Sequence, residues 1–273
     1  MTRFHIVMPV LNGGKFMDVA IRSIRSQSFH DWHLVIRDGG SEDGSLELAQ
    51  KHADQESRIS LDQTGDDGQY DAIRQGLDRG AGDILAWLNA DDIYSPWAFE
   101  TVDRFLREEG RRWVTGLPAH WDSLGNLVAV APVGRYYRRL IHSGWYHDGL
   151  LGCIQQESTF FHATLWNELG TDRKRCFADC RLAGDFYLWT QFARKERLEV
   201  LATVLGGYRV HGKNRAIAHA TAYHDEVMAC GGAALPRPLA RIARSVNDRM
   251  VASAALTRFR EAALRLHTTL SGS

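Results

Sequence analysis

Seven aspartates carry most of the polar chemistry of this sequence: Asp38, Asp43, Asp66, Asp67, Asp71, Asp91 and Asp92. All lie in or beside short loops that follow strand-like runs. Paired carboxylates on such loops suit a hard divalent cation, which takes oxygen ligands. Asn89-Ala90-Asp91-Asp92 is the sharpest case, because it follows the apolar run Ile84 to Leu88 directly. The plain structural alternative is an Asx-turn leading into Ser95-Pro96, and Asp-Asp alone favours it. Asp185 stands at the start of a helical pattern. A helix dipole there favours the ionised form and weakens its basicity, and position alone favours a capping role.

The elements that must hold these residues alternate over the first 95 positions. Phe4 to Val10 predicts a strand that ends near Asn12-Gly13-Gly14. Phe16, Ala20, Ile21 and Ile24 follow at helical spacing. His33 to Arg37 reads as a second strand, Ile59 to Leu61 as a weak third and Ile84 to Asn89 as a buried fourth. Between them, Ser45 is placed to cap one helix, and Asp71 to Arg79 forms another, ended by Gly80. Ser95-Pro96 predicts a further helix start, with serine as N-cap and proline at the first helical position. This order predicts a parallel α/β sheet with right-handed crossovers, whose ligand rim lies beyond the carboxyl ends of the strands. Asn12, Asp38, Asp91 and Asp92 sit at those ends. After Trp113 the pattern turns to mixed strands and helices: Val128 to Val130, Ser158 to Phe161 and Leu198 to Leu205 read as strands, and a helix starts near Asp185. From about Ala233, arginines at 237, 241, 244, 249, 258, 260 and 265 alternate with apolar residues at helical spacing.

Four stretches then come in order: Val7-Met8-Pro9-Val10-Leu11-Asn12-Gly13-Gly14, Arg37-Asp38-Gly39-Gly40-Ser41-Glu42-Asp43-Gly44-Ser45, Asp67-Gly68-Gln69-Tyr70-Asp71-Ala72-Ile73 and Ala86-Trp87-Leu88-Asn89-Ala90-Asp91-Asp92. Gln155 to Phe161, Ala183 to Trp189 and Gly206-Gly207-Tyr208-Arg209-Val210-His211 continue the series. Together they resemble the inverting, non-processive family 2 glycosyltransferases over roughly residues 4 to 215. The resemblance implies a GT-A fold: a Rossmann-like nucleotide-binding half with a mixed central sheet, fused to an α+β acceptor half. The corresponding boundaries are 1–230 for this domain, divided at 95/96, and 231–273 for a basic amphipathic helical tail.

The resemblance also implies roles. Pro9, Val10, Asn12 and Asp38 look like base and ribose contacts, with a lean to uridine. Asp67, Tyr70, Asp71, Arg74, Asn89 and Asp91 look like the remainder of the nucleotide-sugar site, where Arg74 either meets a phosphate or pairs with an aspartate. Asp92 and His211 look like ligands of a divalent cation, Mn2+ or Mg2+. Gln156 and Glu157 enter the acceptor cleft, and Asp185 matches the general base. Trp145, Tyr146 and Trp166 are candidate stacking surfaces for sugar rings, although most aromatics are core. The implied reaction moves a sugar from a nucleotide diphosphate sugar to a hydroxyl on a glycan or lipid-linked saccharide.

Composition narrows the rivals. The chain has 273 residues with 33 basic and 33 acidic side chains, which argues against a nucleic-acid partner. No apolar run reaches the 18 or so residues of a membrane span, and the N-terminus reads as a strand and not as a leader, so a cytoplasmic setting is expected, extending to the inner face of the membrane. The tail is expected to pack on the body, leaving peripheral membrane contact or dimerisation open. Four cysteines are too few for a disulfide scaffold and lack zinc-site spacing. Gly207 to Asn214 nearly spells a P-loop but ends in Asn where Ser/Thr is needed. Arg111-Arg112-Trp113 only faintly echoes a motif of processive synthases. A sugar-nucleotide nucleotidylyltransferase would need a better phosphate loop than Asn12-Gly13-Gly14-Lys15, and a non-catalytic nucleotide-sugar-binding module would not need Asp185.

Overall fold

The N-terminal apolar run forms β1 (Phe4–Val10), buried almost throughout. In the computed structural model it is hydrogen-bonded on both edges within a seven-stranded sheet. The structure describes residues 3–132, 135–212, 214 and 218–251. β2 (Trp32–Asp38) and β4 (Ile84–Trp87) flank β1 in parallel, and β3 (Ile59–Asp62) runs parallel beyond β2. α1 (Met17–Arg25), α2 (Ser45–Gln55) and α3 (Gln69–Asp78) make the crossovers. Helices on both faces explain why β1 and β4 read as nearly continuous apolar runs, whereas the edge strand β3, Ile-Ser-Leu-Asp, alternates.

The second half completes the same sheet. After β5 (Ile93–Tyr94) and α4 (Ala98–Glu109) come β6 (Trp113–Thr115), β7 (Ala119–Trp121), β8 (Leu127–Val130) and α5 (Arg138–His142). β9 (Thr159–His162) inserts antiparallel between β4 and β6. α6 (Ala163–Asn167), α7 (Thr171–Ala178) and α8 (Gly184–Phe192) follow, and β10 (Glu199–Val200) lies parallel to β6 at the edge. The order is β10-β6-β9-β4-β1-β2-β3, a mixed sheet as expected. A smaller sheet, β5-β11-β7-β8, uses β11 (Gly206–Arg209). Gly206 is required there, since a Cβ would strike the Glu157 carbonyl oxygen. α9 (Ala220–Ala229) and α10 (237–251) close the described chain.

Three local expectations are corrected. Ser45 is the first residue of α2 and not its cap. Gly44 precedes it with φ 88°, and Asp43 Oδ1 takes the Ser45 N–H at 3.1 Å. The nearby carboxylate is the stronger acceptor. α4 begins at Ala98, because Ser95 is held in a turn: its N–H donates to Leu205 O and its carbonyl accepts from Ala98 N and Gln27 Nε2. Leu198 to Leu205 is not one strand. Only Glu199–Val200 pairs, and the chain then crosses to the smaller sheet.

The tail starts as the expected helix. Arg244 ties it to the body through the carbonyls of Leu150 (3.0 Å) and Asp148 (2.6 Å). Leu239, Ile242, Val246 and Met250 form an exposed row at helical spacing. Arg258, Arg260 and Arg265 lie outside the described residues. No described helix is long and apolar enough to cross a membrane.

Candidate active site

The site lies along the carboxyl ends of β1, β2 and β4. The register puts Val10 opposite Asp38. The two loops beyond them are laced together. Asn12, at φ 54°, accepts the Glu42 N–H on Oδ1, and its own N–H donates to Ser41 Oγ, both at 2.9 Å. Gly14 N–H donates to Asp43 Oδ2 at 2.9 Å. Asn12 therefore braces the rim, and the Gly13-Gly14 turn spends an amide on the protein instead of offering it to phosphate. Pro9 is half-buried beneath this lacing. Asp38 is buried. Its Oδ1 caps the N–H groups of Gly40 and Ser41 at 3.1 and 3.0 Å, while Oδ2 is buried without a hydrogen-bond partner among the described residues. A buried carboxylate oxygen left unpaired is costly and marks a place where a donor is expected.

The loop after β3 is fixed from below. Fully buried Arg37 bonds to Asp62, to Thr64 O and to Gln75. Burial opposes ionisation of Asp62, but Thr64 and Arg37 outweigh it and hold the carboxyl at about 2. Asp71 is buried and accepts from Arg74 (2.7 Å), Gln75 (2.8 Å) and Asp67 N (3.1 Å). Arg74 also reaches Asp78 at 3.2 Å, so the choice left open by the sequence falls to the aspartates. Asp67 is exposed at the rim, and its carbonyl takes Arg181. Tyr70 turns inward: its hydroxyl donates to Leu182 O at 3.0 Å and faces Asp185 Oδ1 at 3.4 Å.

The Asn89-Ala90-Asp91-Asp92 turn splits its two carboxylates. Asp92 is fully buried. Its Oδ1 accepts from Arg209 N and its Oδ2 from Asn89 Nδ2, both at 3.0 Å. Burial, then the nearby charges of Glu157 and Asp91, push its carboxyl well up. In this geometry Asp92 latches the turn to β11. Asp91 instead keeps a side chain 32% exposed and meets His211 Nε2 through Oδ2 at 2.9 Å. His211 packs on Phe16, ring centroids 4.5 Å apart, and the Arg209 guanidinium sits 4.8 Å from the same ring. Among the described residues no group of three or more His, Cys, Asp or Glu side chains converges as a metal cage. Asp91 and His211 supply a pair.

Asp185 stands in the first turn of α8. Burial pushes its carboxyl up to about 6, against the pull of the Phe186 N–H and the Tyr70 hydroxyl. The helix dipole favours the ionised form, but desolvation dominates. Gly184 makes the fit possible, since a Cβ there would lie 2.5 Å from the Tyr70 ring. Glu157 is buried beneath, pushed up to about 7 by burial, with the charges of Asp185 and Asp91 adding to it. Gln156 is also buried, and its Nε2 donates to Trp87 O at 2.6 Å, which makes it a stitch to β4. Tyr146 and Trp166 are core residues, so neither offers a face for stacking.

Sequence reasoning missed several residues around this centre. Gln69 donates to Asn89 Oδ1 at 2.8 Å. Asn214 joins Arg209 O (2.7 Å) to His211 N (3.0 Å). Arg209 is buried, with Nε and Nη2 unpaired among the described residues. The Tyr208-Arg209-Val210-His211 run was the available signal, but only its histidine has an obvious metal chemistry.

Comparison with known proteins agrees with this layout. Residues 5–170 match the family described as Glycosyl transferase family 2. A PGL/p-HBAD biosynthesis glycosyltransferase of Mycobacterium tuberculosis is 35% identical over 107 residues, covering 38% of this chain and 42% of that protein. The chain thus spans less than half the length of that relative. An uncharacterized glycosyltransferase of Rickettsia typhi is 24% identical over 212 residues, 76% of this chain and 63% of that one. Among solved structures, S. aureus TarS 1-349 in complex with UDP-GlcNAc superposes with a TM-score of 0.63 at 14% identity, covering 90% of this chain and 71% of that one. Mannosyltransferase PcManGT of Pyrobaculum calidifontis, in complex with GDP-Man and Mn2+, gives 0.59 at 16% identity, covering 98% and 79%.

Proposed function

This chain belongs to glycosyl transferase family 2 and has the GT-A fold; on that premise we propose that it transfers a sugar from a uridine diphosphate sugar to a hydroxyl of a glycan or lipid-linked saccharide, with inversion. The observation that carries this reading is the Asp185–Tyr70 contact and the Asp91–His211 pair, whose two carboxylates both act on buried Glu157. Uridine is favoured by Asp38. Its one unpaired oxygen suits the single imide N–H of uracil, whereas guanine presents two donors to a carboxylate and Oδ1 is already spent on Gly40 and Ser41.

The donor set at Asp91 and His211, one carboxylate and one imidazole, fits Mn2+ or Mg2+ if the diphosphate supplies further oxygens. When bound, such a cation offsets the charge that develops on the leaving diphosphate. In this reading Asp91, with its exposed carboxylate, is preferred as the metal ligand to Asp92, which is fully buried and accepts from Arg209 and Asn89. Asp185 takes the acceptor hydroxyl's proton as that oxygen attacks the anomeric carbon from the face opposite the diphosphate. A carboxylate near 6 is mostly ionised at neutral pH yet more basic than an ordinary aspartate. Tyr70 aims it, and Glu157 lines the floor below it. The exposed row of α10 with its flanking arginines keeps peripheral membrane attachment and dimerisation as readings of the tail, separable by vesicle flotation and sedimentation.

The test is nucleotide release from a panel of UDP-, dTDP- and GDP-sugars, with and without Mn2+ or Mg2+, for wild type, Asp91→Asn and Asp185→Asn. Metal-stimulated release from UDP-sugars that is lost in both variants is expected. Absence of both release and metal-dependent nucleotide binding by calorimetry sinks the reading.

A further inference from the structure

The turn that delivers Asp185 is held by a carboxylate from another element. α7 ends at Ala178 and α8 begins at Gly184, so residues 179–183 must place Asp185. Within this turn the N–H of Arg181 donates to Glu226 Oε1 at 2.6 Å, and the N–H of Leu182 to Glu226 Oε2 at 2.8 Å. Glu226 belongs to α9, 44 residues beyond Leu182 in the chain. Two consecutive main-chain donors on the two oxygens of one carboxylate fix the orientation of both peptides. Such charge-assisted bonds are roughly twice as strong as neutral ones. The contact continues into the site. Leu182 O receives the Tyr70 hydroxyl at 3.0 Å, and the same hydroxyl faces Asp185 Oδ1 at 3.4 Å.

α9 is itself anchored. Val227 is buried in one cluster with Ala183 and Phe186, which flank Asp185 in the chain, and Tyr223 packs against the same cluster. Tyr223, Glu226 and Val227 stand three and four residues apart, on one face of the helix. Beyond the helix, the Gly232 N–H returns to Val227 O and the Ala233 N–H donates to Gly144 O, both at 2.8 Å. Ala233 O meets His147 Nε2 at 3.0 Å, and the His147 ring lies edge-on to Phe186 with centroids 6.1 Å apart. The helix that carries Glu226 is thus fixed on both sides of the turn it holds.

We propose that Glu226 is a positioning residue for the transfer step: it clamps the turn before α8 so that Tyr70 and Asp185 keep their mutual geometry. The proposal rests on the reading of Asp185 as general base and adds to it the element that aims the base. Without the carboxylate, the Arg181 and Leu182 N–H groups lose their acceptor and the turn drifts, carrying Leu182 O and Asp185 with it. Misplacing a base by about 1 Å costs rate on the order of a hundredfold. Donor binding is spared, because the Arg181 side chain separately reaches the Asp67 carbonyl at the rim, a tie that does not pass through Glu226.

The test uses the full chain with Glu226→Ala and Glu226→Gln. Alanine keeps α9 helical and removes both acceptors; glutamine returns one carbonyl oxygen at the same reach. Amide hydrogen exchange, read without donor or acceptor, should be about tenfold faster at Arg181 and Leu182 in Glu226→Ala, since each loses one charge-assisted bond, and intermediate in Glu226→Gln. Nucleotide release at saturating UDP-sugar is then followed well below the melting midpoint. There kcat should fall about tenfold to a hundredfold in Glu226→Ala while calorimetric UDP affinity stays within about twofold, and Glu226→Gln should recover part of the loss. Added to Asp185→Asn, Glu226→Ala should change the residual rate by less than about twofold, because its effect passes through Asp185. Unchanged exchange at Arg181 and Leu182 overturns the clamp itself. Faster exchange with unchanged kcat, or an undiminished loss in the Asp185→Asn background, overturns the positioning role. Wild-type rates in Asp185→Asn alone overturn the general base, and the role of Glu226 falls with it; the exchange measurement keeps that result distinct from a failed clamp.

Discussion

Removing the Tyr70 hydroxyl should shift the pH dependence of turnover in a direction that the geometry sets. Asp185 is pushed up to about 6 by burial, and the Tyr70 hydroxyl is one of the groups that holds it down. In Tyr70→Phe that support is gone, so the carboxyl rises further. A hydrogen bond to a charged group contributes roughly 1.5–3 kcal/mol. This one is long, 3.4 Å, and its proton is shared with Leu182 O at 3.0 Å, which leaves about 1 kcal/mol. At 1.36 kcal/mol per pH unit, the shift is about 0.7 unit upward. The base must be ionised, so the acid limb of kcat/KM for nucleotide release should move up by that amount. At pH 8 the variant should stay within about twofold of wild type, and near pH 5 it should be down about fivefold. The buried Leu182 carbonyl also loses a donor, at about 1 kcal/mol of stability, so activity is read well below the melting midpoint. An acid limb that stays put or moves down in folded protein would refute either the role of Asp185 as base or the influence of Tyr70 on it.

Neighbouring positions give sharper contrasts. Asp91→Asn should abolish metal-stimulated nucleotide binding with little change in melting midpoint, whereas Asp92→Asn sets an amide donor against Asn89 Nδ2 and should cost about 1–3 kcal/mol in chemical denaturation. The opposite ranking would restore Asp92 as ligand. Asp38→Asn should weaken UDP binding about tenfold by calorimetry, as one charge-assisted bond is lost; unchanged affinity removes Asp38 from the base site. Gly184→Ala drives a Cβ into the Tyr70 ring and should cost about 1–3 kcal/mol in urea unfolding, with turnover falling further than stability predicts.

The central strands of the first half, Phe4–Val10 and Ile84–Trp87, were legible because burial on both faces writes them as nearly uninterrupted apolar runs. Helix starts were less so. Ser45 and Ser95 have the right side chains, but Asp43 competes for one cap and the turn at Leu205 claims the other. Within the site, motif order identified the loops but not the direction each side chain faces. Asp91 and Asp92 are chemically identical in the sequence; only β11, arriving from more than a hundred residues away, buries one and leaves the other beside His211. The acidity of Asp185 also depends on surroundings that no local pattern encodes: burial pushes its carboxyl up, and a tyrosine on α3 holds it down.

β9 also limits how proteins of this shape can be rearranged. It seals the free edge of β4 and is drawn from the half that contributes Glu157 and Asp185. A fragment ending near residue 95 would expose a wholly buried strand, Ile84–Trp87, along an unpaired edge, an invitation to intermolecular pairing. The donor-side and acceptor-side segments are therefore not interchangeable cassettes. New acceptor preferences in such a chain must arise by rewriting loops and the helices around Asp185, with the sheet passed on whole.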